Sequence, residues 1–209
     1  MRLRHRWGVL LGLLPLLGAP ACRSGTARGP DQPAVIPPIA EIGGIRVGYS
    51  TSDETDGRFG PGLETIGGHP NSGRLWRVKG TAWTLQTDAF EWSDRGMVLD
   101  EFSLATAASD VVLARGQADG YPETLLSERE FRFLGNIRLG DSREAVLHKA
   151  AWLPPTTVTA TNLVWKATGH YRGKTTTFRN WSAVLEFRDD KLAEISIDAR
   201  YEYDHLVPQ

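Results

Sequence analysis

The chain of 209 residues has a single cysteine, Cys22, so no disulfide can form within it. Beyond the first few residues its histidines are His69, His148, His170 and His205, none three to five residues from another, which excludes a local metal pair. It has neither Gly-x-Ser-x-Gly nor a phosphate loop, and so neither the nucleophile elbow nor the nucleotide cradle they encode. Asp53-Glu54-Thr55-Asp56-Gly57 lacks the alternate oxygens and closing Glu of a calcium loop and reads as a helix start. The most apolar run, Val9 to Leu17, is nine residues long, about half of the ~20 that span a bilayer. A net positive charge is lacking as well. The formal charge of −1 becomes −4 when residues 1–21, with three arginines and no acids, are removed. That argues against nucleic acid, whose phosphates want a basic surface. These absences describe a chain that is not an enzyme and uses neither cofactor nor metal.

What is present begins at the N-terminus. Arg2, Arg4 and Arg6 precede the apolar run, and Ala19-Pro20-Ala21 supplies small residues before a cleavage point. This is the secretory pattern, and residues 1–21 read as a signal peptide. Cys22 follows directly and resembles the lipobox cysteine of bacterial lipoproteins. The resemblance implies a thiol acylated with palmitate or a similar lipid. It also implies a chain held at a membrane, the outer membrane first, facing the periplasm or the cell exterior. Residues 22–40, with Gly25, Gly29, Pro30, Pro33, Pro37 and Pro38, read as the lipidated Cys22 and a flexible tether.

The rest is organised by a repeat. Gly43-Gly44-Ile45-Arg46-Val47-Gly48-Tyr49-Ser50 recurs as Gly135-Asn136-Ile137-Arg138-Leu139-Gly140-Asp141-Ser142, identical at five of eight positions. Leu75-Trp76-Arg77 matches Val164-Trp165-Lys166, and Glu91-Trp92 matches Glu186-Phe187. Leu99 to Leu104 matches Leu192 to Ile197, in the same order and at nearly constant offset. A period this long describes two copies of a small domain rather than a solenoid. The copies are 41–106 and 131–209, with 107–130 as connector.

In the second copy, Asp141 with Glu144 three residues on predicts a capped helix that Pro154 and Pro155 end. Three strands follow, and the last alternates Ala193, Ile195, Ile197, Ala199 against Glu194, Ser196, Asp198, Arg200. The first copy predicts a short turn capped by Ser50, then a meander from Arg74 to Leu104. The connector predicts a helical turn at Glu123–Glu130. The fold expected is therefore α+β: two tandem two-layer units, each a short helical segment packed on a 3–4-stranded antiparallel sheet. Trp76, Trp92, Trp165 and Trp181 are expected in the core.

The opener Ile-Arg-[Val/Leu]-Gly-x-Ser and the closing hairpin Glu-Phe-x-Asp…Leu-x-Glu-Ile resemble the SmpA/OmlA (BamE-like) lipoprotein domain. In tandem they resemble the β-lactamase inhibitor protein family. These resemblances imply a binding module, in the first case supporting outer-membrane β-barrel assembly and in the second gripping an enzyme with a concave sheet. The residues expected to contact a partner are Arg77, Lys79, Trp83, Lys166, Glu194, Asp198 and Arg200 on the polar sheet faces, with Trp83 open to either anchor or core. The leading expectation is a non-catalytic envelope lipoprotein that binds an envelope or secreted protein. An inhibitor or immunity protein against a secreted enzyme, and a ligand-binding or enzymatic site between the copies, are the alternatives.

Overall fold

Strand length follows how cleanly apolar and polar residues alternate. The cleanest alternation builds β9 (Asn162–Arg172), β10 (Thr176–Arg188) and β11 (Lys191–Tyr203). Asp189 and Asp190 turn β10 into β11 with φ of 51° and 59°, as a tight two-residue hairpin requires. The computed structural model describes residues 33–65, 73–93, 95–106, 120–173 and 176–203. The predicted signal peptide, Cys22, the start of the tether, and most of the connector lie outside them, as do His69 and His205.

Before these strands come a small hairpin, β1 (Glu41–Ile42) and β2 (Ile45–Arg46), then α1 (Ser52–Phe59) and β3 (Leu63–Thr65). β4 (Gly73–Lys79), β5 (Thr84–Ser93) and β6 (Gly96–Ala105) follow. Where a helical turn is expected at Glu123–Glu130, β7 (Glu123–Ser127) pairs parallel to β4, and only Glu128–Glu130 form a 3-10 turn. α2 (Arg143–Lys149) and the short β8 (Thr157–Val158) complete the set.

The expectation of two helix-on-sheet units is overturned. Apart from the separate β1–β2 hairpin, the strands form one mostly antiparallel sheet in the order β3-β4-β5-β6-β11-β10-β9-β8, with β7 beside β4. The two described helices, of eight and seven residues, are minor parts of a β-rich fold. The reason is that β6 and β11, the last strand of each copy, pair with each other. An edge strand exposes unpaired backbone groups, and each copy's last strand closes its edge on the other's. Nothing in the local patterning of either strand specifies that ladder.

The two repeated segments make matching bonds. The Gly48 N–H bonds to the Leu99 carbonyl at 2.6 Å, and the Gly140 N–H bonds to the Leu192 carbonyl at 2.8 Å. Both glycines have positive φ, 78° and 85°, a backbone region costly for other L-residues. Trp76 Nε1 donates to the Gly60 carbonyl after α1, and Trp165 Nε1 donates to the Leu153 carbonyl after α2. Ser103 lies directly opposite Ser196, its counterpart in the repeat. The β6–β11 ladder is thus centred on a local pseudo-two-fold axis.

The predicted caps shift by one residue in both copies. Thr51, rather than Ser50, caps α1, in a reciprocal box with Glu54. Ser142, rather than Asp141, caps α2 through the Ala145 N–H. Ser50 and Asp141 instead accept from the Arg46 and Arg138 N–H groups and close the opener turns.

One face of the sheet carries the core. Trp76, Trp165 and Trp181 are buried there as expected, with Phe59, Phe102, Phe131, Phe133 and Phe178; the Trp92 side chain lies outside the description. Residues 34–40, expected as tether, are part of this packing. Val35 exchanges two backbone bonds with His170 on β9, and Ile39 and Ala40 are fully buried. Gly169 permits that strap, since a Cβ there would lie 2.3 Å from the Val35 carbonyl oxygen.

Candidate functional site

The opposite face is polar, and strand register fixes who meets whom. One row crosses five strands: Lys166 on β9, Ser182 on β10, Asp198 on β11, Glu101 on β6 and Asp88 on β5. The next row on one side holds Thr168, Asn180 and Arg200, and on the other Val184, Ser196, Ser103 and Gln86. All of these are half-buried or exposed. Two open grooves lie on this face. One, of about 580 Å³, runs over β9–β11 between Lys166, Asn180, Ser182 and Arg200. The other, of about 310 Å³, lies across the junction of the copies, between Asp88, Glu101, Ser103, Glu194 and Asp198.

Side-chain bonds knit this face lightly. Glu194 accepts from Ser196 Oγ at 2.9 Å and Ser103 Oγ at 3.3 Å, bridging both copies. Arg200 Nε lies 3.3 Å from Asp198 Oδ1, and Gln86 donates to Asp88 at 2.9 Å. The carboxylates are crowded. Asp100 is the extra residue where the β5–β6 register shifts, and its Oδ1 is buried with no hydrogen-bond partner among the described residues. Burial, then repulsion from Glu101, Asp88 and Asp198, pushes its carboxyl up to about 7. Burial, followed by Asp88 and Asp198, raises Glu101 as well. Like charges directly opposite across strands are destabilising, so this face carries an unrelieved electrostatic cost.

Four of the expected contact residues, Lys166, Glu194, Asp198 and Arg200, meet on this face. Arg77 and Lys79 lie on β4, exposed and five strands from Lys166's strand, and Arg77 is engaged by Glu123 at 3.0 Å. Trp83 is half-buried and packs against the core; it is no exposed anchor. Sequence reading missed Asp88, Glu101, Ser103, Asn180 and Ser182. The signal available was their alternation with buried Thr87, Phe102, Trp181 and Ala183. No group of three His, Cys, Asp or Glu side chains among the described residues is placed to hold a metal ion. Among these residues, no helix is long and apolar enough to cross a membrane.

No family model matches the chain, and no curated protein matches it. Among solved structures it is similar to a DUF4309 family protein (YjgB) from Bacillus subtilis, with 12% identity over 75% of this chain and 83% of that one and a TM-score of 0.35. At that level neither fold nor function transfers.

Proposed function

We propose that this chain is a non-catalytic envelope lipoprotein that binds another protein through the polar face of its sheet. The observation that carries the reading is the β5–β6–β11–β10–β9 face: broad, made by both copies, crowded with ionised groups, and left open while the other face holds the core. A sheet kept only for solubility gains nothing from opposed carboxylates. The secretory N-terminus and Cys22 place the domain outside the cytoplasm in this reading, and the resemblance of the openers to SmpA/OmlA domains belongs to the same view.

Two experiments test it. Globomycin, which blocks lipoprotein signal peptidase, should leave residues 1–21 attached, and mass spectrometry of the untreated chain should find an acylated Cys22; cleavage without acylation rejects the anchor. Affinity purification of the full chain from detergent-solubilised envelope should recover a stoichiometric partner that is lost in Lys166→Glu/Glu194→Lys. Recovery of none, or of the same partner by that variant, rejects the binding face.

A further inference from the structure

Taking the binding reading as its basis, we infer that the sheet face receives a protein segment carrying a row of lysine or arginine side chains, seated over Asp88, Glu101 and Asp198. The face is graded in charge. Lys166 stands at the β9 end of the row, Ser182 is neutral, and three carboxylates occupy successive positions on β11, β6 and β5. Neighbouring strands lie ~4.8 Å apart, so the three acids are strung over about 10 Å. They do not converge on one point, and the described residues offer no grouping that would chelate an ion. The complement of such a string is a set of cations spaced along a polypeptide. Lysine or arginine at alternate positions of a strand, ~6.6 Å apart, or one turn apart on a helix, falls in that range.

Within the fold, the compensation is incomplete. Asp198 has Arg200 beside it and Asp88 has the neutral amide of Gln86. Glu194 spends its hydrogen bonds on two serines. Burial first, and the neighbouring carboxylates after it, raise the carboxyls of Asp100 and Glu101. The groove across the junction of the copies gives incoming side chains a place beside those acids, against Ser103 and Ser196. Charge complementarity of this kind sets orientation and on-rate more than raw affinity. It therefore fits a partner that docks repeatedly in one register.

The test uses the full chain with a photo-crosslinking residue at Ser182, in the cells that produce it. The crosslinked partner peptide should carry two or more Lys or Arg. The nearly isosteric pair Asp88→Asn/Glu101→Gln should lower crosslink yield about tenfold while raising Tm, because the repulsion it removes stabilises nothing in the free protein. In vitro, a fluorescent hexa-arginine peptide should bind the chain at low salt at least tenfold more tightly than hexa-glutamate. That preference should shrink in the same variant. A crosslinked segment without cationic side chains, an unchanged yield, a lowered Tm, or no preference between the peptides overturns this inference and leaves the binding face standing. Absence of any crosslink from Ser182 overturns both.

Discussion

The two copies use the same backbone device in different surroundings. Each opener turns at a glycine with positive φ that bonds to the first leucine of its copy's last strand. Around Gly140 there is open space where a Cβ would go. Around Gly48 a Cβ would lie 2.7 Å from Trp181 Nε1 and 2.8 Å from the Ala199 Cβ. The first copy's turn is thus wedged under the second copy's sheet, where Trp181 Nε1 also donates to the Val47 carbonyl at 2.7 Å. The second copy's turn meets no such constraint. The two openers share one turn geometry, and only Gly48 is a packing residue as well.

Substitution can break that comparison most strongly at these glycines. Gly48→Ala should cost about 3–5 kcal/mol, combining left-handed backbone strain with overpacking. Gly140→Ala should cost only about 1–2 kcal/mol, from strain alone. Urea unfolding measures both, and equal losses would contradict the wedge.

The next effect is at Asp100, whose counterpart in the repeat is the buried Ala193. Its folded-state pKa lies above the unfolded value, so the folded chain binds a proton that the unfolded chain releases. Its contribution to stability is then most favourable below pH 4 and declines as pH rises toward about 7. Asp100→Asn should therefore leave stability at pH 4 nearly unchanged and add on the order of 2–3 kcal/mol at pH 8. Chemical denaturation at the two pH values checks this, and an equal effect at both would remove the titration from the account.

The smallest contrast is between the helix caps. Thr51→Ala removes one arm of a reciprocal box at a buried position, and Ser142→Ala removes a one-way cap at a half-buried one. Losses of about 1.5 and about 0.7 kcal/mol are expected, within the usual range for caps. Thermal melts of the two variants rank them.

What could be read from the chain was mostly local. The alternation in β9 to β11 gave those strands to within a few residues, and the repeated openers located both turns and both helix starts to within one. Trp76, Trp165 and Trp181 were legible because each holds the apolar parity of its strand. Two features were not. The β6–β11 ladder joins residues from 89 to 97 apart in sequence, and its strands look like ordinary amphipathic edges until a partner is supplied. The strap at 34–40 has the proline content of a linker, and only its fit over Gly169 makes it part of the body. The polar face followed the same division. Glu194, Asp198 and Arg200 could be read from one strand, whereas Asp88 and Glu101 join them only through the ladder.

That ladder has a thermodynamic corollary. Its five registered pairs, centred on Ser103 and Ser196, make a strand-to-strand seam between the halves, and the apolar cluster runs unbroken beneath it. Parting the seam would bare the backbone of two strand edges together with the flank of the core. Neither half then has a low-energy state of its own to retreat to, and heat should find a single melting unit where the repeated sequence suggests two.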